Sequence, residues 1–112
     1  MAGNKLFKLH SEQIVDLVSG YGGCIATDRI TVDGEPLGYM YREEPHNELD
    51  SGWRFFAGTE DQAYLDNLAY SEVYDVNTIA NYEPAIIAYL DYPVGSELER
   101  RVGSNKFDLL PG

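Results

Sequence analysis

Cationic side chains are scarce in this sequence. Eight lysines and arginines stand against nineteen carboxylates, for a formal net charge of −11. Between residues 30 and 99 the shortage is nearly complete, with Arg42 and Arg54 the two bases among fifteen acids. The other bases, Lys5, Lys8, Arg29, Arg100, Arg101 and Lys106, lie in the flanks. Nucleic acid and anionic membrane surfaces are bound by Lys or Arg against phosphate, so neither is an expected partner. A field of this sign instead draws cationic partners inward, at rates that fall with salt. Long apolar runs are missing too: no stretch approaches the roughly 18 residues that a membrane-spanning helix needs. Residues 1–10 show no apolar core of a secretory signal. The single cysteine, Cys24, has no internal partner and reads as a packed, reduced thiol. These features together predict a cytoplasmic location.

Residues with catalytic potential are equally few. His10 and His46 have no second His or Cys at metal-ligand spacing. His46 stands in Glu43-Glu44-Pro45-His46-Asn47-Glu48-Leu49-Asp50, which crowds four carboxylates and a histidine into eight residues. That loop lacks the alternating ligands and the bend glycine of a calcium site, so it reads as a solvated acidic loop rather than a metal centre. Gly20-Tyr21-Gly22-Gly23 precedes a strand rather than following one, the reverse of a phosphate-cradling loop, and Gly20 reads as a helix stop. Nothing marks Cys24 and His46 as a nucleophile–base pair. The expectation is a binding protein, with no catalytic residues, metal or cofactor. An enzyme acting on a small molecule through the Glu43–Asp50 region stands as the alternative that a deep pocket lined by His46 and carboxylates would favour.

What the chain does have is the length and apolar content of one domain: 112 residues, 44% hydrophobic. Ser11 followed by Ile14, Val15, Leu17 and Val18 at helical spacing predicts a helix over 11–19. Strands are expected over 24–31, 37–42 and 53–57, with Asp33-Gly34 turning the first into the second. In the second, Tyr39 and Tyr41 share one face and Met40 and Arg42 the other. Thr59 is the expected cap of a short helix carrying Glu60 and Asp61 in its first turn. Residues 70–76 are ambiguous, and Asn77 is a candidate cap for a further helical turn. A helix begins at Pro84, a last strand runs over 96–101, and the tail over 102–112 is expected to fray. The fold class is therefore α+β: one domain, 1–112, with a mostly antiparallel meander of about three to five strands and short helices packed on it.

Arg42 and Arg54 are the only bases in an acidic stretch of seventy residues, Arg42 following Tyr41 and Arg54 lying between Trp53 and Phe55. Pairing with Asp50, Glu43 or Asp61 is expected to orient the acidic loop. The other reading makes them a cationic spot that fixes a partner's docking register. Nine tyrosines, four phenylalanines and one tryptophan exceed what a core of this size needs. Some of Tyr39, Tyr41, Tyr64, Tyr70, Tyr74 and Tyr82 should therefore stay exposed beside carboxylates, a composition that suits recognition.

The stretches Gly38-Tyr39-Met40-Tyr41-Arg42-Glu43-Glu44-Pro45 and Asp50-Ser51-Gly52-Trp53-Arg54-Phe55-Phe56-Ala57-Gly58-Thr59-Glu60-Asp61 resemble a family of small bacterial proteins, immunity protein 33. So do Asn77-Thr78-Ile79-Ala80-Asn81-Tyr82 with Pro84, and Pro93-Val94-Gly95-Ser96 through Glu99-Arg100. The resemblance runs from about Gly22 to Arg101. It implies an α+β domain that neutralises a toxin in bacterial polymorphic toxin systems, and it brings no catalytic residues. The partner it suggests is a protein, such as a basic toxin domain. Glu43, Glu44, Glu48, Asp50, Tyr39, Tyr41, Arg42 and Arg54 are the candidate contact residues, and Gly52, Trp53, Gly58, Glu60 and Asp61 the candidate structural motif. A stand-alone binding or regulatory domain, acidic for solubility alone, is the second reading.

Overall fold

The computed structural model describes residues 5–111. Six strands form one sheet: β1 (Gly23–Thr27), β2 (Tyr39–Arg42), β3 (Asp50–Phe56), β4 (Ser71–Asp75), β5 (Glu97–Arg100) and β6 (Phe107–Leu109), in the order β4-β1-β3-β2-β5-β6. Three short α-helices accompany it: α1 (Asp28–Thr31), α2 (Gln62–Asp66) and α3 (Val76–Tyr82). The α+β class holds, but the simple meander does not. β2 and β3 make the expected antiparallel hairpin, whereas β1 lies on the far side of β3 and runs parallel to it. The Asp33-Gly34 turn therefore serves a crossover. The chain leaves β1 into α1, whose Ile30 and Thr31 are buried, so residues 28–31 coil where a strand was expected.

Alternation along the strands sorts side chains onto two faces. Met40, Trp53, Phe55, Cys24, Ala26 and Leu98 are all buried, and α3 and the 3-10 helix Pro84–Tyr89 cover them with Val76, Ile79, Ala80, Ile86 and Leu90. The proline-initiated segment is thus helical, but in the tighter 3-10 form. Trp53 is fully buried, lies parallel to Phe55 at 6.0 Å between centroids, and donates its indole N–H to the Leu90 carbonyl at 3.1 Å. The indole thereby satisfies a buried donor and ties the sheet to the helical layer.

Two terminal segments depart from expectation. Only Ser11–Gln13 is helical in the first, as a single 3-10 turn, and residues 14–18 are irregular, with a bend at Leu17. Asn77 and Asn81, one turn apart on α3, accept from the backbone N–H groups of Leu17 and Val15 at 2.8 and 3.0 Å, and both donate to the Val15 carbonyl. These side-chain amides supply the partners that a helix would otherwise give the backbone. Asn77 is thus a clasp, and Asp75 caps α3 in its place. At the other end, residues 107–109 pair with β5 as an edge strand and bury Phe107, so the tail is ordered there.

Candidate interaction surface

The second face of the sheet lies away from the α3 and 3-10 cover, and Leu65 of α2 borders it beside Tyr39, Tyr41 and Phe56. The pairing registers define two rungs across it. Val73, Ile25, Arg54, Tyr41 and Glu97 align from β4 to β5, and Phe56, Tyr39, Glu99 and Asp108 align from β3 to β6. Tyr39, Tyr41 and Phe56, all half-buried, form one aromatic cluster: Tyr41 stacks on Phe56 at 5.6 Å, and Tyr39 lies 5.6 Å from Phe56. The Tyr39 hydroxyl donates to Glu97, and burial together with that carboxylate raises its pKa well above the usual phenol value. Glu99 is exposed beyond it. The surface therefore grades from apolar at β4 and β1, through aromatic, to acidic at β5 and β6.

Arg54 lies beneath this surface, 2% exposed. Its guanidinium makes two parallel bonds to Asp50, at 3.0 and 2.7 Å, and a third to Glu43 at 2.6 Å. It also donates to the Trp53 carbonyl. The fork geometry matches a carboxylate in a way that an ammonium cannot. Hydrogen bonding to Arg54 holds the Asp50 carboxyl well below the ordinary range, against the opposing effect of burial, with help from the N–H groups of His46 and Gly52. Arg54 so anchors both ends of the acidic loop 43–50, and the ion-pair expectation is met at this residue.

Arg42 behaves otherwise. It donates to the carbonyls of Ser51, Leu90 and Tyr92, at 2.9, 3.4 and 2.8 Å, and sits 5.6 Å from the Trp53 ring. The Leu90 carbonyl caps the 3-10 helix and that of Tyr92 lies in the turn just after it, where a cation offsets the negative end of the segment. The carboxylates expected as its partners do not reach it. Asp61 instead caps α2, accepting from the Tyr64 N–H at 2.8 Å, the role assigned to Thr59 from the sequence.

The motif residues have local structural work. Gly52 has φ +88°, and a Cβ there would collide with the Glu43 carbonyl. Gly58, with φ +97°, turns the chain out of β3. Glu60 accepts from the Thr27 hydroxyl at 2.5 Å and from the N–H groups of Ala57 and Gly58 at 2.8 Å each. Burial works against its charge, but these donors outweigh it and lower the pKa. Glu60 thus staples the end of β3 to β1 rather than starting a helix.

Beside Arg54, between loop 46–50 and the adjoining ends of β1 and β4, lies a cleft of about 610 Å³. Ile25, Leu49, Val73, His46, Asp50 and Asp75 contribute to its lining. Sequence order alone does not reveal it, since its walls come from three separated segments. Leu49, 81% exposed within a polar loop, is the residue that could have signalled it. His46 and two carboxylates do meet here, yet Asp50 is committed to Arg54, and His46 is exposed with Glu43 at 3.6 Å. Burial pushes the Cys24 thiol up to about 12, so it is a poor nucleophile at neutral pH. Glu44 and Glu48 are exposed on the outer side of the same loop.

The sheet thus carries its core on one face and an aromatic and acidic surface on the other. The family model of the immunity protein Imm33 domain matches residues 24–109. The chain belongs to that family. The Imm33 match takes in all but the first residue of β1 and runs through β6, further than the resemblance read from the sequence, and it leaves out the segment clasped by Asn77 and Asn81. No curated protein and no solved structure matches the chain. Membership of the Imm33 family implies a toxin-neutralising role toward a protein partner, in a family that is generally non-catalytic.

Proposed function

We propose that this chain neutralises a basic toxin domain by direct contact through the uncovered face of its sheet. The observation that carries this reading is the Tyr39–Tyr41–Phe56 cluster bordered by Glu97, Glu99, Glu43 and Glu44, with the one guanidinium beneath it already neutralised by Asp50 and Glu43. Half-buried tyrosines provide contact area at low entropic cost. The surrounding carboxylates attract a basic partner, orient it and speed its association. On this reading the inhibitor meets its toxin in the cytoplasm and blocks it by contact alone. Many toxins that attack nucleic acid present basic clefts to phosphate, and an acidic surface can occlude such a cleft.

The test is co-expression with the C-terminal domain encoded by the adjacent gene, followed by purification and binding kinetics. A stable complex is expected, with an association rate that falls about tenfold between low and physiological salt. Tyr41→Ala with Glu97→Gln should weaken it about a hundredfold. A complex whose affinity ignores that double substitution would remove the sheet face from the mechanism.

A further inference from the structure

We infer that the cleft beside Arg54 is a socket for one lysine or arginine side chain of the protein partner. The inference rests on the reading of the sheet face as a protein-binding surface. Ile25, Val73 and Leu49 provide apolar walls, and Val73 and Leu49 are 74% and 81% exposed, so these walls are open to an incoming group. A volume of about 610 Å³ is ample for a long side chain and falls within the range of pockets that bury small ligands.

Charge selects the occupant. Arg54 is the one guanidinium of the lining, which also includes the imidazole of His46, and Asp50 and Glu43 together carry more negative charge than Arg54 carries positive. Asp75 adds a further carboxylate at the rim, so an anionic ligand is repelled and a cation is drawn in. Asp75 caps α3 through the Asn77 N–H at 2.8 Å, which fixes the position of its carboxylate. An aliphatic stem against Ile25 and Val73, ending in a charged head near Asp75, is how lysine and arginine divide between apolar and polar surroundings. The cleft also continues the first rung, whose next members are Arg54 and Tyr41, so a side chain seated here belongs to a partner lying across the aromatic cluster.

Two measurements on the full chain test this. The first titrates the tripeptides acetyl-Gly-Lys-Gly-amide and acetyl-Gly-norleucine-Gly-amide against the isotope-labelled protein by NMR. The lysine peptide is expected to give saturable shifts at Gly22, Ile25, Leu49 and Val73, with about fivefold tighter binding than the uncharged peptide. Asp75→Asn keeps the helix cap, because asparagine caps as well as aspartate, and should lower that affinity about threefold. Equal binding of the two peptides, or shifts that follow the acids of β5 as strongly as the cleft, overturns the proposal. The second measurement places a resident ammonium in the socket with Val73→Lys, a change that an exposed edge strand tolerates. Affinity for the adjacent-gene toxin domain should fall at least about tenfold, against less than about threefold for Glu99→Gln. If that domain binds wild type and Val73→Lys equally, the socket is wrong and the sheet-face reading stands. If it does not bind wild type at all, the sheet-face reading falls and the peptide titration decides the socket.

Discussion

The β2–β3 hairpin shows two faces that differ by a single residue of register and serve opposite ends. On one, Met40, Trp53 and Phe55 are sealed under helices. On the other, Tyr39, Tyr41 and Phe56 pack on each other and stay half-exposed, with Leu65 of α2 at their border. Both are aromatic-rich, so apolar content does not distinguish them. The polar tips do: the Trp53 indole N–H finds a carbonyl inside the protein, whereas the Tyr39 hydroxyl finds a surface carboxylate. A face whose donors are satisfied internally is suited to permanent burial. A face whose hydroxyls lie among carboxylates can stay wet and still be covered later.

The comparison breaks most easily on the covered side. Trp53→Ala removes the largest core side chain and leaves the Leu90 carbonyl without its indole donor. A loss of about 4 kcal/mol in denaturant unfolding is expected. Arg54→Ala should follow, at about 3 kcal/mol, because it strands the Asp50 carboxylate with its bidentate partner gone. Arg54→Lys restores charge without the fork and should recover only part of this. If both variants unfold like wild type, Arg54 does not anchor the loop.

The same ion pair carries a pH signature. The folded-state pKa values of Asp50 and Glu60 are depressed, so the stability they contribute is fully present above the ordinary carboxylate range of about pH 4 and is lost as pH falls through and below it. Wild type should therefore lose stability steeply on acidification. Arg54→Met should show a shallower acid limb in the same titration.

On the open side the effects on stability shrink and those on binding grow. Phe56→Ser should cost about 1 kcal/mol while weakening the toxin complex markedly, a split that calorimetry of the free and bound protein would detect. The smallest effect concerns the clasp. Asn77→Ala should change global stability by less than about 1 kcal/mol, yet speed amide exchange at Leu17 and Val18, the two N–H groups its side chain accepts.

Much of the central hairpin was readable in advance. Alternation in Tyr39-Met40-Tyr41-Arg42 and in Trp53-Arg54-Phe55-Phe56 placed each residue on its face, and tyrosines were expected to lie beside carboxylates. The pairing of Arg54 with Asp50 and Glu43 was readable as well, since a lone guanidinium in a long acidic stretch has few alternatives. Arg42 escaped the same logic because its partners are backbone carbonyls, two of them about fifty positions away, which have no signature in side-chain chemistry. The cleft was hidden for a related reason, its walls being assembled from β1, β4 and loop 46–50. The N-terminal segment misled because its apolar spacing suits a helix, and nothing local reveals that two asparagines on α3 will satisfy its backbone in a non-helical form.

The sequence by itself determined the composition of the two sheet faces, the acidity of the middle of the chain and the glycines at two positive-φ positions, Gly52 inside β3 and Gly58 just after it. Those are local properties, set by a side-chain period of two, by charge and by allowed backbone angles. The tertiary structure alone decided that β1 lies parallel to β3, that residues 107–109 close the sheet edge, and which of many equivalent carboxylates meets Arg54. Each of these is a choice among distant partners of similar local chemistry, and only the packing of the whole chain separates them.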